Sequence, residues 1–272
     1  MAKKSSKKII DIKTSTTSDI APSSEKILVH IMGESPMVEE FAAVCMASGY
    51  EVHVTWNETP TEKSESALLF KIAASIDPKT TIGIELTNID LTKKKQNLEL
   101  LANALPATAP ILSSAITVTA TEQSIWIAGK HRLIGIAALP SLLEKPLLEV
   151  APTIFSPKET LDAVAHFLQT LHKQIELVQD RVGMVLPRIL CQLINEAVFA
   201  VTEEIAMPQD IDMALKLGLN FPFGPIEWAD RIGIKQVFAV VCALHRDLQE
   251  DRYRPAPLLR QMAVTGEWWK QS

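Results

Sequence analysis

The chain has 272 residues, 47% of them hydrophobic and 22% charged, with a formal net charge of -5. That length carries one large domain or two ordinary ones, and the mild negative charge gives no general pull toward nucleic acid or an anionic membrane. No apolar run reaches the roughly 18 residues a membrane span needs. Cys45, Cys191 and Cys242 lie far apart with no CxxC spacing, which reads as buried thiols in a reducing cytoplasm.

Residues 1–25 are rich in Lys, Ser and Thr and lack the apolar core of a secretory signal. They read as a disordered extension, with a targeting or anion-binding role for Lys3, Lys4, Lys7 and Lys8 as the alternative. A short apolar run, Lys26 to Met32, then ends at Gly33. From Pro36 to Ser48 the residues Met37, Phe41, Val44 and Cys45 recur at helical spacing, and Tyr50 to Val54 reads as a second strand. A unit of this kind sets its strands parallel and leaves a ligand crevice at their carboxyl ends. Further along, a helix is expected within Ser64–Ser75, a strand at Thr80–Leu86, a helix at Leu91–Leu105 and a short run at Ile111-Leu112. Ile134–Leu139 and Leu147–Ala151 are strand candidates. Ser156-Pro157 opens a helix to about Leu171, with Ser156 as cap and Glu159 closing a capping box, and Ile175–Val178 is a last strand.

After Asp180 nothing alternates with period two. Apolar residues at spacings of three and four predict helices at Met184–Val201, Asp210–Leu217, Ile226–Ile232 and Lys235–Leu248, punctuated by Gly218, Gly224-Pro225 and Gly233. Val185, Ile189, Cys191, Leu193, Ile194 and Val198 are more apolar residues than one core face needs, so the first of these helices is expected to pair with a second copy.

Several segments of this helical half carry a resemblance. Asp180 to Arg188, Ile194-Asn195-Glu196-Ala197, Asp210-Ile211-Asp212 with Met213, Ala214 and Gly218, Pro222-Phe223-Gly224-Pro225, and Tyr253-Arg254-Pro255 with Leu258-Leu259 occur in order over about 80 residues. Together they resemble the carboxy-terminal domain of the 3-hydroxyacyl-CoA dehydrogenases. The resemblance implies an α/β fold: a Rossmann-like, mostly parallel sheet domain over residues 26–180, followed by an all-α dimerisation domain over residues 181–272. It also implies NAD as cofactor, acyl-CoA as ligand, and a homodimer without nucleic acid or membrane partners.

The family reaction moves hydride from a 3-hydroxyacyl-CoA to NAD, with a histidine base oriented by a glutamate. Matched residue by residue, the glycine loop falls on Gly33, Ser35 and Val38, so one of its three glycines remains, and Pro36 removes a backbone donor. Gly33, Ser35 and Met37 are the cofactor-binding candidates. The acidic residue expected at the end of the second strand falls on Trp56, with Glu58 nearby. The histidine falls on Ala137 and the asparagine on Pro187, where a proline inside a helix would kink it. Glu149 matches the partner glutamate, and Thr117 keeps a hydroxyl at the serine position.

His131 reads as a solvated loop residue, Lys93-Lys94-Lys95 as a solvated helix face, with an anion contact implied by the resemblance as the alternative, His30 and His53 as ordinary strand residues, and no metal set is spaced for binding. Trp228, Trp268 and Trp269 read as packing or interface residues. Three functions stay open. One is a catalytically degenerate member of fatty acid and acyl-CoA metabolism that keeps fold, dimer and acyl-CoA binding. The second is an active NAD-dependent dehydrogenase with a rebuilt site, and the third a purely structural interaction protein.

Overall fold

A computed structural model describes residues 27–58 and 70–266. Its eight strands are β1 (Leu28–Gly33), β2 (Glu51–Trp56), β3 (Lys71–Ile72), β4 (Ile82–Leu86), β5 (Ile111–Ser114), β6 (Leu133–Ile136), β7 (Leu147–Pro152) and β8 (Gln174–Leu177). They lie in one sheet in the order β3-β2-β1-β4-β5-β6-β7-β8. Every neighbouring pair is parallel except β6 and β7. The chain winds one way from β1 to β3 and the other way from β4, so the ligand crevice of such a sheet falls at the carboxyl ends of β1 and β4.

The sheet half also holds α1 (Met37–Ala47), α2 (Leu91–Ala104), α3 (Ala120–Ser124) and α4 (Lys158–Thr170), and the helical half α5 (Leu186–Thr202), α6 (Pro208–Leu219), α7 (Pro225–Ile232), α8 (Ile234–Leu248) and α9 (Pro257–Thr265). Alternation along β1 decides which layer meets which. Val29 and Ile31 enter a core with Phe41 of α1 and Phe167 of α4. Met32 faces the other way, into a core that runs through Leu98 and Leu101 of α2 to Ile194 of α5, Val240 of α8 and Leu259 of α9. The helical half thus shares a continuous core with one face of the sheet, and truncating fully buried Leu101 or Ile194 to Ala costs about 2–5 kcal/mol.

Most predicted elements stand within a few residues of their observed bounds, and the exceptions have physical causes. The described part of the Ser64–Ser75 segment holds β3 at Lys71–Ile72 and no helix, and residues 64–69 lie outside the described residues. Trp268 and Trp269 also lie outside them, whereas Trp228 packs edge to face on Phe223 at 5.1 Å. Ser156 does not cap α4: Pro157 holds the cap position without a side-chain bond, and the Ser156 hydroxyl donates to the Leu133 carbonyl. Pro187 does not kink a helix. Because α5 begins at Leu186, the proline sits in its first turn, where the backbone N–H has no partner to lose.

Lys94 is not part of a solvated face. It is fully buried against Glu85, with Nζ 2.5 Å from the carboxylate, while Lys93 and Lys95 are exposed. Cys45 and Cys191 are buried as expected, but Cys242 is only partly so. The helical half leaves apolar residues exposed on two helices. Of the surplus expected on α5, Cys191, Ile194 and Val198 are buried in the chain's own core, while Val185 and Ile189 stay exposed by 49% and 63%; α6 buries one residue, the acidic Asp212, and exposes Met213 by 57%, Leu217 by 81% and Leu219 by 59%.

Candidate functional site

At the carboxyl end of β1, Gly33 has φ +148, and a Cβ there would lie 2.5 Å from the Leu86 carbonyl oxygen. The residue must be glycine for β1 to turn away so close to β4. Glu34 follows, and its N–H donates to the same Leu86 carbonyl at 3.0 Å. The Glu34 carboxylate accepts from the backbone N–H of Asn88 at 3.1 Å, that of Ile89 at 2.9 Å and the Gln236 side chain at 2.7 Å. Asn88 in turn donates to Gln236 Oε1 at 2.9 Å and to the Ala138 carbonyl at 3.0 Å, and accepts from the Ser114 hydroxyl at 2.6 Å. Asn88, Ser114 and Gln236 are all buried, so the network closes over the ends of the central strands.

Ser35 lies at the surface, and its hydroxyl donates to Glu39 at 2.9 Å. Trp56, at the end of β2, donates its indole N–H to the same carboxylate oxygen at 3.1 Å. The other Glu39 oxygen is buried without a hydrogen-bond partner. Met37 is fully buried and packs in the core, its sulfur accepting from the Asn88 side chain at 3.5 Å. A diphosphate laid across this turn would approach the carboxylates of Glu34 and Glu39, with no N–H from Pro36 to receive it. The residues present do not fit that group.

Glu40 points to the loop after β6. Burial pushes its carboxyl up to about 7, against the opposing pull of the Ser141 N–H, while Glu144 and Glu39 add to the rise. The Ser141 N–H donates to both Glu40 oxygens, at 2.8 and 2.9 Å.

The matched catalytic positions meet where the two halves join. Ala137 directly follows β6, and its N–H donates to the Glu149 carbonyl at 3.0 Å. The Glu149 side chain is 6% exposed and accepts from the backbone N–H groups of Val185 at 2.8 Å and Leu186 at 2.7 Å. It thus satisfies two of the orphan donors at the start of α5 and complements the positive end of that helix. Thr117 lies nearby in the chain path. Its neighbour Ile116 accepts from Gly183, its own carbonyl accepts from Arg246 of α8 at 3.1 Å, and its hydroxyl oxygen is buried without a partner.

His131 is remote from this junction. It is exposed in a short 3-10 turn at the opposite end of β6, six residues from Ala137, or about 20 Å of extended strand. His30 and His53 are register partners in β1 and β2, with rings 6.3 Å apart. Burial, and then His53, lowers the His30 pKa to about 4, and His30 Nε2 meets the Thr55 hydroxyl at 3.0 Å. They are strand residues packed in the sheet. Among the described residues no group of three or more His, Cys, Asp or Glu is placed to hold a metal, and no helix is long and apolar enough to cross a membrane.

The sequence reading singled out Gly33 and Ser35, at and just after the carboxyl end of β1, Thr117, beyond the end of β5, and Glu149, within β7. It missed Glu34, Asn88, Gln236 and Glu39. A signal was present for Glu34, an acidic residue inside a loop whose usual occupant is a phosphate.

Similarity to known proteins agrees with this architecture. The family model for the 3-hydroxyacyl-CoA dehydrogenase C-terminal domain matches residues 183–272. A probable 3-hydroxybutyryl-CoA dehydrogenase of Bacillus subtilis is 31% identical over 191 residues, 70% of this chain and 67% of that protein. The 3-hydroxybutyryl-CoA dehydrogenase of Bradyrhizobium diazoefficiens is 30% identical over 211 residues, 76% of this chain and 72% of the relative. Among solved structures, the (S)-3-hydroxybutyryl-CoA dehydrogenase of Ralstonia eutropha superposes with a TM-score of 0.73 at 27% identity, covering 89% of this chain and 95% of its own. With the Rossmann-like sheet, the helical half packed on one of its faces and relatives matched across both, the chain belongs to the 3-hydroxyacyl-CoA dehydrogenase family.

Proposed function

We propose that this family member keeps the scaffold and an acyl-CoA site without turning over a hydroxyacyl substrate, and that it serves short-chain acyl-CoA metabolism in the cytoplasm as a homodimeric binding subunit. The observation that carries the reading is the junction at Ala137. A methyl group stands at the base position, and the Glu149 carboxylate that would orient a histidine is engaged by two N–H donors of α5. Loss of a general base removes about 10²–10⁴ in rate, and the carboxylates beside Gly33 oppose NAD as well. The Thr117 hydroxyl, buried and without a partner at the junction of the two halves, is a group that an acyl carbonyl would satisfy. Pairing of two copies rests on α6, whose exposed Met213, Leu217 and Leu219 would be covered by the same face of a second chain. Free cysteines suit a reducing compartment.

The experiment is NADH oxidation with acetoacetyl-CoA by the purified chain, with calorimetric titration of each compound separately. Heat from acetoacetyl-CoA alone, with no turnover and no heat from NADH, is the expected result. Turnover at the rates ordinary for enzymes, about 1–10³ s⁻¹, would instead establish an active dehydrogenase with a rebuilt site, and silence from both ligands would leave a protein without a small ligand.

A further inference from the structure

The end of the sheet where this fold takes its ligand is filled from within the chain, and the group filling it is charged. Glu34 sits in the turn from β1 to α1 at the switch point of the sheet. One of its oxygens accepts from Asn88 N–H at 3.1 Å and Gln236 Nε2 at 2.7 Å, and the other from Ile89 N–H at 2.9 Å and, more weakly, Asp90 N–H at 3.4 Å. Gln236 belongs to α8, 202 residues further along the chain, and is 5% exposed. It also accepts from Asn88, which in turn is held by Ser114 at the end of β5 and the Ala138 carbonyl after β6.

We propose that Glu34 is an internal anion that takes the place of a bound phosphate and clamps the helical half to the sheet, so that the two halves stay closed without a ligand. The donors that line the loop before α2 are already committed to a carboxylate through charge-assisted bonds. An external anion would have to displace it and then sit beside it, like charge against like. The same carboxylate reaches across to α8, so filling the crevice and fixing the two halves are one act. This deepens the reading of a member without turnover by giving the crevice an occupant, but it concerns closure and not chemistry.

The test compares amide hydrogen exchange in the full chain with that of the Glu34→Ala, Glu34→Gln and Gln236→Ala variants, alone and with acetate or inorganic phosphate. In Glu34→Ala, exchange at Asn88, Ile89 and along α8 rises about ten-fold, the equivalent of one charge-assisted hydrogen bond lost. Acetate or phosphate slows it again at Asn88 and Ile89 in that variant and has no such effect in the parent chain. Gln236→Ala speeds exchange along α8 more than at Ile89, because the backbone donors keep their carboxylate. Should Glu34→Ala fail to fold, Glu34→Gln keeps one acceptor and shows a smaller rise at the same amides. Parent-like exchange along α8 in either Glu34 variant overturns the clamp, and protection of the parent by phosphate overturns the filled cradle. Turnover of acetoacetyl-CoA by the parent would overturn the proposed function and leave the exchange result standing.

Discussion

Replacing Glu149 with Ala tests whether that carboxylate is a structural cap or an orienting group waiting for a base. The side chain is 6% exposed and holds the N–H groups of Val185 and Leu186 at 2.8 and 2.7 Å. Removing it takes the acceptor from two part-buried donors at the start of α5, at about 1–3 kcal/mol each. It also deletes a negative charge from a helix N-terminus, worth about 0.3–1 kcal/mol. Because the two donors share one cap, the terms do not add fully, and a loss of roughly 3–5 kcal/mol is expected. Glu149→Gln keeps one carbonyl acceptor and turns an amide N–H toward the other donor, so about half of that loss is expected. Urea unfolding followed by circular dichroism measures both: with a slope of about 3 kcal/mol/M for a chain of this size, the Ala variant's midpoint falls by about 1 M or more at unchanged slope. A change below about 0.5 kcal/mol, the range of inert surface substitutions, would refute the cap and leave the carboxylate free for other work.

Glu40 supplies a pH dependence. Its carboxyl rises from 4.5 in the open chain to about 7 in the fold, so its contribution is fully present below the lower value and lost as pH rises through the upper one. Glu40→Gln should flatten that part of the stability profile, by an amount on the order of 1–3 kcal/mol after allowance for partial exposure, and an unchanged profile in chemical denaturation would sink the assignment. Leu217→Glu, placed on the 81% exposed face of α6, should halve the mass measured by light scattering without altering the circular dichroism spectrum, and a dimer of parental affinity would remove α6 from the interface. Lys94→Met strands the fully buried Glu85 and should cost about 3–5 kcal/mol, whereas Lys94→Met with Glu85→Leu should recover most of it. A double variant no more stable than the single one would contradict the pair's part in the core.

Periodicity made the helical half legible, since Ile194, Val240 and Val241 each sit on a stripe that one helix face can bury. It failed where a residue's environment is set by a distant element. Lys94 belongs to a run of three lysines, yet the strand residue Glu85 draws it inside, and only the fold puts the two together. Ser156 has the spacing of a cap, but the Leu133 carbonyl competes for its hydroxyl. α6 reads as an ordinary amphipathic helix, while its one buried residue is Asp212, which accepts from the N–H groups of Ile226 and Glu227 and so caps α7. At the site, matched positions pointed to Ala137 and Glu149, which the fold sets on adjoining strand segments with the Ala137 N–H donating to the Glu149 carbonyl. What Glu149 bonds to could not be read, because backbone N–H groups leave no mark in a sequence. The Gln236 contact was hidden for a related reason: glutamine in a helix is common, and only its position opposite Glu34 distinguishes it.

The core shared between Met32, Leu101 and Ala115 on one side and Ile194, Val240 and Leu259 on the other has a consequence for how the chain is made. When the ribosome has delivered the strands through β6, the apolar face beneath them is covered only in part, by α2 and its Leu98 and Leu101. At about 5–20 residues per second, translation reaches α9 only roughly 6 to 25 seconds later. For that interval the nascent sheet is sticky on one side, a natural client for a chaperone, and a message truncated before α8 would yield an aggregation-prone product and not a smaller working protein.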